Sequence, residues 1–363
     1  MSRFVNEQNY RHGTPERIGV LLTNLGTPAS PTPRDVRKFL AEFLSDPRVV
    51  EVPRFIWLAI LHGIILRTRP KKSAEAYEKV WEEDGSPLLS IAMKQRATLE
   101  PLLRERIGEH CEVALAMSYG DPSIASVMES LRLKNVRRLL VLPLYPQYSA
   151  TTTAATIDEV TRVLRRWRWL PELRTINQYH DRPGYIAALA NSVKRYWAEH
   201  GRGDKLLFSF HGIPKRNLLN GDPYHCQCHK TARLCTELLG LGEDEWALSF
   251  QSRLGKAEWL RPYTDQVLEN WGDEKVGRVD VLCPGFSADC LETLEEVALG
   301  YAELFRDKGG RDLKYIPALN DDDDHVRFLA DLACEHLKGW TVEADNEDLR
   351  HSLERARALG AER

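Results

Sequence analysis

The chain repeats itself, and that repeat limits what it can fold into more than any single motif does. VLLTNLGTP, from Val20, and LLFSFHGIP, from Leu206, are both apolar runs that end in x-Gly-x-Pro. LLVLPLYPQYSATTTAATIDEV, from Leu139, and VDVLCPGFSADCLETLEEV, from Val279, both break at proline, carry an aromatic and a serine, and then enter an amphipathic pattern. Self-similarity at this scale points to two copies of one supersecondary plan. Short β-branched runs alternate with segments of helical length, which is the pattern of a parallel α/β fold. Strands are expected over 18–25, 113–117, 136–142 and 173–178 in the first copy, and over 205–210, 246–250, 279–282 and 314–316 in the second. The 363 residues suffice for two domains of about 150 residues each. The expected division is a first lobe over 15–180, a second over 181–320, and a closing helix over 321–338 that packs back on the first lobe.

In doubly wound sheets, ligands bind beyond the carboxyl ends of the strands, so two such lobes face each other across a cleft built from strand ends. The first lobe brings Asn24, Leu25, Tyr119, Tyr145, Gln147, Tyr148 and Ser149 to these ends. The second brings His211, Gln251, Ser252, Phe286, Asp289 and Glu292. One side is aromatic and neutral; the other carries an imidazole and carboxylates. Such a cleft suits a flat apolar ligand that undergoes proton or metal chemistry on one face. No GxGxxG follows the first strand and no GxxxxGK[ST] occurs, so the phosphate-binding readings lose their main support. A formal charge of −3 offers no footprint for nucleic acid.

The N-terminus lacks the apolar core of a secretory signal, and seven scattered cysteines suit a reducing compartment, so a cytoplasmic protein is expected. FIWLAILHGIIL, over 55–66, is too short to span a bilayer, which needs about 20 residues. It reads either as a core helix or as an exposed apolar lip, whose basic flank (Arg67, Arg69, Lys71, Lys72) would lie against anionic lipid on the inner membrane face.

His211 closes an apolar strand just before Gly212 and Pro214, at the predicted cleft. A neutral imidazole there can be a base near neutral pH or a ligand for a divalent metal. Asp289-Cys-Leu-Glu292 fits a capping box. It also begins a line of acid, because Glu292 and Glu296 lie one helical turn apart. HCQCH, over 225–229, crowds metal-ligand side chains, but cysteines two apart diverge on an extended chain, so no resident metal is expected there. Asp321 to Asp324 precede a helical pattern and read as charge complementing a helix N-terminus.

Together FSFHGIP, GDPY (221–224), FQSRLGKAEWLRPYTD, PLYPQYS and ADCLETLEE resemble the ferrochelatase family, in order and spacing, over about 19–337. The resemblance implies two Rossmann-like or flavodoxin-like lobes around a porphyrin cleft. It makes protoporphyrin IX and ferrous iron the substrates, and no resident cofactor is implied. His211 and Glu292 match the family's essential, metal-facing residues, with Asp289 and Glu296 on the same proton or metal path. Leu25, Tyr77, Ser86, Tyr119, Tyr145, Trp259 and Phe286 match positions near the macrocycle, and 55–72 matches the lip of the porphyrin mouth. Cys290 and Ser118 depart from residues of other members. Ala150 stands where animal members place an iron–sulfur ligand, and the sequence ends at Arg363 without their cysteine-rich tail, so no animal-type iron–sulfur cluster is expected. A cluster using Cys226 and Cys228 stays open. A monomer is expected.

In this reading His211 takes a pyrrole proton or briefly ligates iron, while Glu292, Glu296 and Asp289 carry proton or cation. Coproporphyrin as substrate, another tetrapyrrole and metal, and a porphyrin carrier without turnover remain as alternatives. The apolar lip favours protoporphyrin.

Overall fold

Two four-stranded sheets, all parallel, carry the chain. The structure is a computed structural model and describes residues 3–7, 10–255, 257–340 and 346–361. The first sheet contains β1 (Arg17–Gly26), β2 (Cys111–Tyr119), β3 (Val136–Pro143) and β4 (Glu172–Thr175), in the order β2-β1-β3-β4. The second contains β5 (Lys205–His211), β6 (Trp246–Gln251), β7 (Arg278–Leu282) and β8 (Asp312–Ile316), in the order β6-β5-β7-β8. Numbered within its own half, each sheet has the same order, so the sequence repeat is a repeat of topology. Helices cover the sheets. The central strands are therefore buried on both faces and read as continuous apolar runs rather than as alternation.

All eight expected strands form. The fourth is shorter than the 173–178 read from the sequence, and its ladder to β3 stops at Val141 and Thr175. Its partner ends at Pro143, which has no N–H to offer the next rung.

The apolar core crosses from one lobe to the other. Val20, Leu22 and Leu142 of the first sheet belong to the same buried cluster as Phe208, Phe210 and Leu282 of the second. Helix Asp323–His336 contributes Val326, Leu329 and Ala333 to this cluster, alongside Leu99 and Leu103 of helix Pro87–Ile107. Arg106 and Asp331 pair at 2.6 Å across the two helices. Asp322 caps the later helix, its side chain accepting from the Asp324 N–H.

Buried polar side chains also stitch the seam. Asp222 accepts from Ser149 Oγ at 3.0 Å and from the Ala150 N–H at 2.8 Å. Gln227, on helix Tyr224–Leu239, accepts from the Tyr148 N–H at 2.7 Å, and Gln147 donates to Thr231 on the same helix at 3.0 Å. Gln95 of helix Pro87–Ile107 donates to the carbonyls of Ser287 and Asn320, at 2.8 and 2.9 Å.

At the cleft end of the first sheet, Gly26 lies opposite Tyr119 with φ of 111°. A Cβ built there would stand 1.8 Å from the Tyr119 carbonyl oxygen, a backbone atom that cannot swing away. Gly26→Ala should cost roughly 2–4 kcal/mol, from strain plus displacement of the β2 end. Chemical denaturation should show this as a lower midpoint with an unchanged m-value.

Candidate active site

His211 is the last residue of β5 and pairs in register with Gln251, the last residue of β6. Its Nδ1 lies 2.7 Å from the Gly212 carbonyl. A carbonyl can only accept, so Nδ1 carries a proton and, in the neutral ring, the lone pair is at Nε2. Gly212 is held close against its surroundings. A Cβ there would meet Gln251 O at 2.8 Å and Trp259 Cε3 at 3.2 Å, so the absent side chain lets the indole lie beside the histidine turn. Trp259 is fixed in turn by its Nε1–H, which donates to Leu254 O at 2.9 Å. On the other side, Phe286 lies with its ring centroid 6.4 Å from that of His211.

Phe286 connects the histidine to the first lobe and to the acidic helix. It packs with Leu25, from the end of β1, and with Leu88, Ala288 and Cys290. Two residues on, the chain enters a π-helix over Glu292–Tyr301, a winding that is rare and tends to occur at functional sites. Glu292, in its first turn, is half-buried beside the hydroxyl of Tyr77. Burial, and then the Glu292 charge, push that phenol well above its usual range, so Tyr77 stays a proton donor. Tyr77 is itself packed with Leu291 and set edge-on to Trp81, with centroids 6.0 Å apart.

Glu296 is firmly held. It accepts from the Ser252 N–H at 3.0 Å, from Ser252 Oγ, and from Tyr301 Oη at 2.9 Å. Ser252 adopts φ of 64° to aim both donors, which ties the β6 end to the acidic helix. Burial and the neighbouring carboxylate push the Tyr301 hydroxyl up, so it too donates.

Asp289 differs from both glutamates. It is buried, and its carboxylate accepts from Tyr315 Oη at 2.6 Å, Thr293 Oγ1 at 2.9 Å, Asn320 Nδ2 at 2.8 Å and the Ala318 N–H at 3.3 Å. Its own N–H donates to Asn320 Oδ1. The capping box read from the sequence is therefore not formed. The π-helix opens at Leu291 instead, and Asp289 ties its start to the segment after β8.

The macrocycle candidates of the first lobe divide in the same way. Tyr119 is buried against Phe43 at 5.1 Å between centroids, and its hydroxyl donates to Asp46 at 2.7 Å. Burial, then the Asp46 carboxylate, push the Tyr119 hydroxyl well up, and burial pushes Tyr145 up against the opposing effect of Ser118. Ser86 is buried at the N-terminus of helix Pro87–Ile107. Ser118 bonds Thr156 at 3.0 Å. Sequence reasoning missed Asn320, which serves Asp289, Gln95 and His325 together. The only hint was its place before four aspartates, where the charge drew attention instead.

The family model for ferrochelatase matches residues 17–337. The chain belongs to the ferrochelatase family. Ferrochelatase of Thioalkalivibrio sulfidiphilus is 56% identical, covering 99% of this chain and 98% of that protein. Ferrochelatase of Nitrosococcus oceani is 55% identical, covering 99% of each. Among solved structures, SirB of Bacillus subtilis with Fe3+ aligns at a TM-score of 0.52 and 10% identity, over 89% of this chain and 96% of that one, a likeness of fold alone. The protein is a metal-inserting chelatase of the ferrochelatase family, α/β in class, with two Rossmann-like lobes.

The contrast between the acids can be measured by denaturation. Asp289→Ala should lose about 3–5 kcal/mol, because four donors are left in the interior without their acceptor. Glu292→Gln, at a half-buried position, should change stability by less than about 1 kcal/mol.

Proposed function

We propose that this ferrochelatase inserts ferrous iron into protoporphyrin IX to give protohaem, with His211 as proton acceptor. The observation that carries the assignment of roles is the pairing of an available Nε2 on His211 with an aromatic flank of Phe286 and Trp259. A free-base porphyrin must lose two N–H protons as one Fe2+ enters, so the site needs a base at the ring centre and an outlet for charge. Held by its Nδ1–H bond, the imidazole offers its lone pair without reorienting. Rigid aromatic walls favour a bent ring, in which the pyrrole nitrogens present their lone pairs to an out-of-plane ion.

Glu292 comes first on the outlet and Glu296, gripped by Ser252 and Tyr301, comes second. Asp289 supports that path by fixing the helix start. Its oxygens are engaged by Tyr315, Thr293, Asn320 and Ala318, so its share in the path is mechanical. The reaction consumes iron as a substrate, and we propose no resident cofactor and a monomeric protein in the cytoplasm.

The lip gives the protein a way to meet its apolar substrate. Helix Arg54–Ile60, a π-turn over Leu61–Ile65 and helix Leu66–Val80 follow one another without a break. Phe55 is 78% exposed and Ile64 59%, with Ile56 and Ile60 beside them, while Leu61 and Leu66 are buried beneath. Arg67, Arg69, Lys71 and Lys72 are exposed at the next turns. Among the described residues no helix is long and apolar enough to cross a membrane. An exposed apolar ridge with a basic flank fits peripheral contact with an anionic leaflet and uptake of a porphyrin dissolved there.

Anaerobic incubation with ferrous iron and either protoporphyrin IX or coproporphyrin, following loss of free-base fluorescence, tests the reaction and its substrate. Faster turnover of coproporphyrin would reassign the substrate. His211→Ala should lower kcat by at least about a hundredfold. It should leave porphyrin affinity within about threefold, since the aromatic walls do the binding. Normal turnover in that variant would remove the base from the mechanism.

For the lip, the residues to change are Phe55, Ile56, Ile60 and Ile64. Leu61 belongs to the core, and Trp57 donates to Leu44 O at 2.6 Å, so both would test stability instead. Serine at the four exposed positions should reduce partition onto phosphatidylserine vesicles at unchanged Tm; unchanged partition would confine the ridge to substrate entry.

A further inference from the structure

The HCQCH segment lies outside the catalytic elements, and its geometry differs from the extended chain on which the sequence reading rested. It forms the first turns of helix Tyr224–Leu239, so residues four apart share a face. His225 and His229 stand there with ring centroids 4.4 Å apart. Two imidazoles bound to one ion, at metal–nitrogen distances of about 2.0–2.1 Å, have centroids about 4.5 Å apart at right-angled positions and about 5 Å apart at tetrahedral ones, so the rings need to open only slightly. We propose that His225 and His229 form a bidentate site for a divalent first-row transition metal ion on the outer face of this helix.

Both rings are held in place by an aromatic base. His225 stacks on Phe250 at 5.8 Å with 19° between planes, and His229 lies 6.3 Å from the same ring. This buttress restricts the rotation that binding would otherwise have to freeze. Among the described residues, neither imidazole has a hydrogen-bonding partner in the protein. Burial lowers both below the usual histidine range, so both are neutral ligands near pH 7. The nearest cations on the helix are paired: Lys230 with Asp181 at 2.6 Å, and Arg233 with Glu237.

The two cysteines do not complete a cage. Cys228 is fully buried, and burial pushes its thiol well up, away from the thiolate a metal needs. Cys226 is exposed, yet among the described residues no three His, Cys, Asp or Glu side chains are grouped to hold an ion. Water therefore fills the other positions, giving an exchangeable site. Two histidines four apart on one helical face are a known zinc-binding arrangement in general. Nitrogen ligands of this kind favour copper, nickel and zinc over iron(II), so the site would take ions other than the iron that is inserted. It also clamps the outer face of the helix whose inner face holds Tyr148 through Gln227 and Gln147 through Thr231.

The test is equilibrium dialysis of chelator-stripped protein against zinc chloride, in the His211→Ala background to weaken the catalytic site. That protein should bind zinc, and adding His225→Gln or His229→Gln should weaken one equivalent at least tenfold, with Tm in the absence of zinc unchanged. Zinc should raise Tm in the His211→Ala protein and raise it less in the His211→Ala/His229→Gln protein. Cys226→Ser should leave affinity within twofold. Unaltered zinc stoichiometry and affinity in both glutamine variants would overturn the proposal. So would loss of zinc in Cys226→Ser or Cys228→Ser with both histidines dispensable, since that would make the site a thiolate one.

Discussion

A flat ligand held between two sheets is positioned only as well as the seam between them, and here the seam is fixed by hydrogen bonds that have no substitute. Asp222, Gln227, Thr231 and Gln95 each reach across to a backbone group or side chain of the other lobe from a buried position. Opening the cleft at these points would leave amides and a carboxylate stranded, at about 1–3 kcal/mol each. The continuous apolar core resists the same motion, but apolar contacts tolerate sliding, whereas a paired amide does not. Lobe orientation is thus set by polar satisfaction and held by burial.

Within that frame, the polar groups nearest the chemistry are held to different degrees. Asp289 is fully engaged, Glu296 is held by two residues, and Glu292 has Tyr77 and the Cys290 thiol beside it. A proton or cation carrier has to keep some freedom, and a carboxylate with several donors gives that freedom up. The same division separates His211 from His325. Nδ1 of His325 lies 2.8 Å from Asn320 O, and the ring is wholly buried, whereas His211 has a comparable Nδ1 bond but stands at the cleft.

Most of the fold was legible because parallel strands buried on both faces leave a strong mark, a run of apolar residues broken by Gly or Pro. The central strands β1, β3 and β5 carry that mark, whereas β4, ELRT at the sheet edge and half-buried or exposed throughout, does not, and it is the strand whose extent the sequence misjudged. The strand ends were legible for the same reason, and His211, Gln251 and Phe286 lie where the breaks put them. Helix winding was not. Nothing in ADCLETLEE distinguishes a π-helix from an α-helix, since both accept the same amphipathic pattern. The capping box therefore looked sound from spacing alone, although Asp289 is used elsewhere. HCQCH went the other way: cysteines and histidines are neutral about helix formation, and only the packed helix shows which of the five share a face. Asn320 was invisible because a polar hub has no periodicity.

The duplication explains why one fold can hold both a neutral wall and an acidic one. In each lobe the chain after the third strand winds as a π-helix before it continues as an α-helix: Ala150–Ala154 into Ala155–Leu164, and Glu292–Tyr301 into Ala302–Asp307. A π-turn leaves backbone carbonyls less regularly paired and spreads successive side chains, so both copies present an irregular, polar start to the cleft. In the first lobe that start reads ATTTA, small and uncharged, and Asp222 grips its cap Ser149 and its first residue Ala150. In the second it opens with Glu292 and runs through Glu295 and Glu296, gripped by Ser252 and Tyr301. Two acidic starts facing each other would repel across the cleft, and two neutral ones would leave departing protons without an acceptor. The repeated backbone supplies the site twice, and divergence of a few side chains decides which copy performs the chemistry and which supports the ligand.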